Sequence, residues 1–159
     1  MHMNDILILY YSKNDSTKKM ARAIARGIES SNLASSSIRT VHSDSYKESD
    51  DIIVTKEDLK KCSGMIIGSP THFGNMAAPL KAFFDSTTDE WFNNTLESKL
   101  GGVFTSTSSM HGGQETTLIS MMMPLIHHGM IIAGVPYSEK NLTSTISGGT
   151  PYGLSLIHI

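Results

Sequence analysis

Cysteine is almost absent from this sequence. Cys62 stands alone among 159 residues, so no internal disulfide can form, and the expected setting is a reducing one, the cytoplasm. No run approaches the roughly 20 apolar residues of a membrane-spanning helix, and no basic segment with an apolar core opens the chain, so neither membrane insertion nor a secretory leader is expected. Charge of one sign is missing too. With 13 basic and 15 acidic side chains, a net charge of -2 and no long block of either sign, the chain offers no electrostatic footprint for nucleic acid or an anionic membrane. A small organic molecule stays open as partner. The histidines are not spaced with carboxylates as metal ligands are, and no metal is expected. No repeat or linker divides the chain, and 159 residues suit a single domain spanning 1–159.

What is present is one pattern three times over. Ile6 to Tyr11 is a continuous apolar run, read as a strand buried on both faces. The polar Ser12, Lys13, Asn14, Asp15, Ser16 and Thr17 follow, and then Met20, Ala21, Ile24, Ala25 and Ile28 recur at helical spacing. Met65 to Ile67 is a second strand, with Pro70, Thr71, His72, Phe73, Gly74 and Asn75 as its turn and a helix over Met76 to Phe84. Gly102 to Thr107 is the third, followed by Ser108, Ser109, Met110, His111 and Gly112 and by a helix over Glu115 to His128 that Pro124 should kink and Gly129 should close.

Between these units, Ile38 to Val41 reads as a short strand in a Ser-rich, mobile stretch, and Thr55 to Asp58 has capping-box spacing. Met130 to Val135 is a fifth strand, Pro136 to Gly153 a long loop, and Leu154 to Ile159 are too few for a closing helix.

Loops at the carboxyl ends of parallel strands meet at one edge of an α/β sheet, where such folds bind ligands. The loop at 12–17 reads as an anion site at a helix N-terminus, or as simple capping by Asp15 or Ser16. The turn at 70–75 reads as a seat for a flat, polar-edged ligand, or as a plain connection with Asn75 capping the next helix. Trp91, beside Phe92 in a polar segment, is part of a lid or interface, or an anchor to the core. A ligand with an anionic tail and a flat ring satisfies all three loops, and flavin mononucleotide has that shape.

The blocks Gly68 to Lys81, Phe104 to Thr107, His111 to Thr117, His127 to Met130 and Gly148 to Gly153 resemble the WrbA family of NAD(P)H:quinone oxidoreductases over nearly the whole chain. The resemblance implies a flavodoxin-like, doubly wound sheet of five parallel strands in a three-layer α/β sandwich, here without its C-terminal helix, the chain ending in a truncated or non-native 154–159. It implies FMN as cofactor, NADH or NADPH as donor, and two-electron quinone reduction by hydride transfer through FMN, with no catalytic side chain. The FMN phosphate maps to Ser12–Thr17; ribityl chain and ring map to Pro70–Asn75 and Ser106–Gly112, including Thr107. His127 lies near the flavin of a neighbouring subunit in a homotetramer or homodimer, and Trp91, Phe73 and His127 face the substrate. One departure is Asp15, where related phosphate loops usually carry glycine. The rival reading is a flavodoxin-type electron carrier or a non-catalytic FMN-binding protein, for which the scattered carboxylates provide little steering.

Overall fold

A computed structural model describes residues 4–43 and 50–157. In chain order the elements are β1 (Asn4–Tyr10), α1 (Ser16–Ser30), β2 (Ala34–Thr40), α2 (Lys56–Lys61), β3 (Gly64–His72), β4 (Asn75–Met76), α3 (Ala78–Asp85), α4 (Thr88–Phe92), β5 (Leu100–Thr107), α5 (Gln114–His127), β6 (Ile131–Ile132), α6 (Asn141–Ser144) and β7 (Leu154–Ile157). The main sheet runs β2-β1-β3-β5-β6 with parallel pairing throughout. This is the doubly wound order, in which the connections reverse direction beside β1. The Ser-rich stretch falls partly on 44–49, outside the described residues; what precedes it forms a longer strand than the 38–41 expected.

The edge strand departs from expectation. Only Ile131 and Ile132 of the expected 130–135 pair, alongside Leu100 and Gly101. The Ala133 N–H still reaches Gly101 O at 2.8 Å, but the Val135 N–H turns to Pro151 O, and Pro136 has no N–H to extend a ladder. The chain then loops out, and β7 resumes the edge beside Phe104–Thr107. Leu154–Ile157 is therefore part of the sheet.

Helix boundaries obey local chemistry. Thr55 and Asp58 form the expected capping box, and Gly129, at φ 75°, follows the end of α5. Asn75 does not cap α3; it sits in β4, and α3 starts behind Ala77 with proline in its first turn. On α5 the core face is Leu118, Met121 and Leu125, whereas the apolar Ile119 and Ile126 are close to half exposed. The apolar stripe is wider than the surface it covers.

The core lies on both sheet faces. Leu7, Leu9, Met65, Ile67 and Val103 pack with Leu59, Leu80, Leu118 and Leu125 of α2, α3 and α5 on one side. On the other, Ile8, Tyr10 and Phe104 pack against Ala21 and Ala25 of α1. Beyond α1 this second face is partly open, with Leu100 and Ile131, which pair in register, both more than half exposed.

One glycine sets the central packing. Gly68 lies in register between Tyr10 and Phe104, both fully buried, and a Cβ there would lie 2.1 Å from Phe104 Cζ. The aromatic ring occupies the volume that any side chain would need. Gly102, by contrast, has no atom closer than 3.6 Å to a built Cβ. Gly68→Ala should therefore destabilise by about 1–3 kcal/mol or more through overpacking, and Gly102→Ala should change stability by less than about 0.5 kcal/mol. Urea midpoints of the two variants check this, and equal midpoints would refute it.

A buried histidine closes the corner between α5 and α3. His128 is 8% exposed, and its Nε2 lies 2.8 Å from Thr87 Oγ1. Burial, foremost, holds its pKa below the ordinary histidine value; Lys56 and His127 act in the same direction and Glu90 opposes them. Below a pH of about 6.5 the unfolded chain takes up a proton that folded His128 refuses, so this stability is present above that pH and lost as pH falls. Melting temperature should drop more steeply from about pH 7.5 to 5.5 in the wild type than in His128→Gln, which does not titrate; parallel curves would contradict it.

Candidate functional site

The three polar loops meet. Ser12, Lys13, Asn14, Ser16 and Thr17 line one cleft of about 240 Å³ with Pro70, Thr71 and His72 of the second loop and Ser106, Thr107 and Ser108 of the third. Parallel register explains the convergence: β1, β3 and β5 are aligned at Tyr10, Gly68 and Phe104 and run in one direction, so the loops that follow them all leave the same edge of the sheet. Thr17 Oγ1 and Ser106 Oγ are 3.0 Å apart and tie the first loop to the third. Ser12 Oγ is buried and has no protein partner. Asp15 precedes α1 at φ 61°, in the left-handed region, and its side chain makes no capping bond. Simple capping by Asp15 is thus not what this loop does.

Behind the cleft the hydroxyls form a directed chain. Thr105 Oγ1 donates to Ser69 O at 2.8 Å, so it can only accept from Thr71 Oγ1 at 3.3 Å, which in turn accepts from Thr117 Oγ1 at 3.1 Å. Ser69 Oγ accepts the Ala77 N–H at 2.8 Å and so fixes the start of α3. His72, in the cleft wall, has its pKa lowered by burial first and by the charge of Lys13 second, so both favour its neutral form.

Phe73 and Gly74 are the two residues of a tight hairpin, with His72 paired to Asn75 and φ values of 54° and 76°. A turn with both central residues left-handed is the two-residue type that matches strand twist, and it normally selects Asn or Gly. Phe73 there is strained and also fully exposed. His111 in the third loop is likewise left-handed, at φ 58°. A Cβ on Gly113 would come within 2.9 Å of Gly74 Cα, which shows how closely the third loop approaches the hairpin.

Several expected residues lie elsewhere. Asp15, Phe73, Gly74, Asn75, Ser109, Met110, His111, Gly112, Trp91 and His127 do not line the 240 Å³ cleft. Trp91, His127 and Asn75 instead border a second, larger cavity of about 560 Å³ between α3, α4 and α5. The larger cavity is thus not the one the strand-end loops make. Phe73 lines neither, so Trp91, Phe73 and His127, expected to face the substrate together, do not share a cavity within one chain. Of the adjacent histidines His127 is exposed and His128 buried, and both border this cavity.

The wall of the second cavity includes residues that sequence reasoning passed over: Lys81, Asp85, Thr87, Thr88, Ser120, Met123 and His128. A signal existed, since Ser120, Pro124 and His127 are one helical face of α5, and Lys81, Asp85 and Thr88 are another across α3 and α4. Trp91 is half-exposed and anchored through one atom, its Nε1–H donating to His127 O at 2.8 Å. Among the described residues no group of His, Cys, Asp and Glu could hold a metal ion, and no helix is long and apolar enough to cross a membrane.

The model of the NADPH-dependent FMN reductase family matches residues 5–140. The chain is 40% identical over 170 aligned residues to an NAD(P)H dehydrogenase (quinone) of Chromohalobacter salexigens, covering 98% of this chain and 84% of that one. A Paracoccus denitrificans protein of the same name is 41% identical over 167 residues, with 98% and 80% covered. Among solved structures, a WrbA-like flavodoxin from Agrobacterium tumefaciens superposes with a TM-score of 0.67 at 24% identity, over 80% of this chain and 75% of that one. The doubly wound sheet, the three loops at its switch point and this extended identity together place the chain in the NADPH-dependent FMN reductase family, beside the quinone-reducing NAD(P)H dehydrogenases.

Proposed function

We propose that this protein is an FMN-dependent NAD(P)H:quinone oxidoreductase, a single flavodoxin-like unit whose three-loop cleft holds the cofactor. The observation that carries this reading is the convergence of the 12–17, 70–72 and 106–108 segments on one cleft. The residues present suit FMN. Ser16 and Thr17, at the N-terminus of α1 where N–H groups lack intrahelical partners, line the cleft, and Ser12 supplies a buried hydroxyl that lacks a protein partner. The hairpin and the 109–112 loop flank the space where a flat ring would lie. Phe73, strained and exposed, supplies a face for stacking.

Bound FMN supplies the redox chemistry, accepting two electrons from NADH or NADPH and passing them to a quinone. The chain's own residues bind and orient. Ser12, Ser16 and Thr17 offer hydroxyls to the phosphate, and burial, with Lys13 second, favours the neutral form of His72, whose ring then offers one donor and one acceptor. Trp91 and His127 wall the larger cavity, which we assign to the quinone. Because that cavity lies on the far side of the hairpin from the loops, we infer that a second copy of the chain completes each site, in a dimer or tetramer. The lone, buried Cys62 suits a cytoplasmic setting.

Steady-state NADPH oxidation by the FMN-loaded protein should be stimulated strongly by 1,4-benzoquinone and show parallel double-reciprocal lines, since one cofactor face serves donor and acceptor in turn; no turnover would favour the electron-carrier reading. Trp91→Ala should raise KM for the quinone at least about fivefold, the scale of one aromatic contact, with FMN affinity nearly unchanged. The reverse ranking would make Trp91 a core residue. Asp15→Gly should bind FMN about three- to tenfold more tightly, because glycine relieves the left-handed strain and removes a carboxylate beside the phosphate. That gain should shrink as salt rises. Titrations at low and high ionic strength measure it, and weaker binding by the glycine variant would overturn the strain argument.

A further inference from the structure

Trp91 is the only tryptophan of the chain, half of its surface is open, and α4, which carries it, is five residues long. Such a helix has little stability of its own. Its position is imposed from two sides. Lys56 of α2 reaches Glu90 at 2.8 Å and also bonds Ser86 O. From the other side comes the C-terminus of α5, where His127 O accepts the indole N–H at 2.8 Å and His128 meets Thr87.

The proton count at that last contact is unambiguous. Thr87 Oγ1 lies 2.6 Å from Phe84 O, and a carbonyl only accepts, so the hydroxyl's single proton goes there. His128 Nε2 must then carry its own proton and donate to Thr87 Oγ1 at 2.8 Å. Nδ1 is the bare nitrogen, buried and without a partner. The imidazole is thus a neutral, oriented donor joining the end of α5 to the corner between α3 and α4. The ring also packs against Phe84, with centroids 6.2 Å apart.

We propose that His128, acting through Thr87, is a positioning residue that holds Trp91 and His127 in register as the wall of the larger cavity. It touches no reacting atom; it fixes the distance between the helix that carries Trp91 and the helix end that carries His127. This rests on the assignment of that cavity to the quinone.

The test compares His128→Leu and Thr87→Val, which remove the donor or its acceptor, with His128→Gln, whose amide nitrogen can occupy the place of Nε2. Two quantities are read on the FMN-loaded proteins: acrylamide quenching of Trp91 fluorescence without substrate, and KM for 1,4-benzoquinone against the Kd for FMN. The Leu and Val variants should raise the quenching constant about twofold and KM about three- to tenfold, the range of one buried hydrogen bond, with Kd for FMN within about twofold. His128→Gln should restore both toward wild type. Unchanged quenching in the Leu and Val variants, or a Gln variant that moves as far as Leu, overturns the proposal. Raised quenching with unchanged KM upholds the clasp and overturns the assignment of the cavity to the quinone.

Discussion

The alignment of β1, β3 and β5 is the constraint on which the site depends. Parallel strands in register present their carboxyl ends at one edge of the sheet, and three chain reversals at that edge make a cleft without any further instruction. Gly68 lets this alignment coexist with a close-packed core. Tyr10 and Phe104, in the same row, are large and fully buried, and the row closes only because its middle position has no side chain. A methyl group there would push on β5 through an aromatic ring that cannot yield, and a shift of β5 is a shift of the 106–108 loop.

Backbone strain is distributed over the same three loops. Asp15, Phe73 and His111 each adopt a left-handed conformation, one in each loop, where an L-residue with a side chain costs about 1 kcal/mol or more. Such conformations persist because the strands on either side are held by ladder hydrogen bonds and buried apolar contacts. The other left-handed residues with side chains among the described residues are Asn32, Asn94 and Ser98, small polar residues in connecting turns. Phe73 differs from these, since a phenyl ring gains nothing from the turn and is wholly exposed at its tip.

Much of this was legible in the sequence, for definable reasons. A buried parallel strand is a continuous apolar run, so Ile6 to Tyr11 announced β1 without a tertiary partner, and Thr55 with Asp58 announced α2, because a capping box is complete within four residues. The edge of the sheet was not legible. Met130 to Val135 is apolar enough for a strand, but whether it pairs is decided by Pro151 and by β7, some twenty residues on. The separation of Trp91 and His127 from the loop cleft was likewise hidden. It depends on how α4 and the end of α5 pack across the hairpin, and no periodicity records that.

The two cavities also differ in how they could recognise a guest. The loop cleft is lined by one cation, Lys13, and by no carboxylate, since Asp15 lies outside it. Apart from Lys13, recognition there falls to hydroxyls and backbone N–H groups, which discriminate by direction and exact position, and those are what the aligned strands and the Thr117–Thr71–Thr105 chain hold still. The larger cavity is walled by Met76, Phe84, Trp91 and Met123, with the Lys81–Asp85 ion pair at its border. Apolar burial is nondirectional and tolerates varied shapes, which suits a succession of flat substrates better than a permanently bound one. The hairpin at 71–76 separates the directional site from the adaptable one. Its two strands border one cavity each, Thr71 and His72 the first and Asn75 and Met76 the second, while its strained tip, Phe73, lines neither.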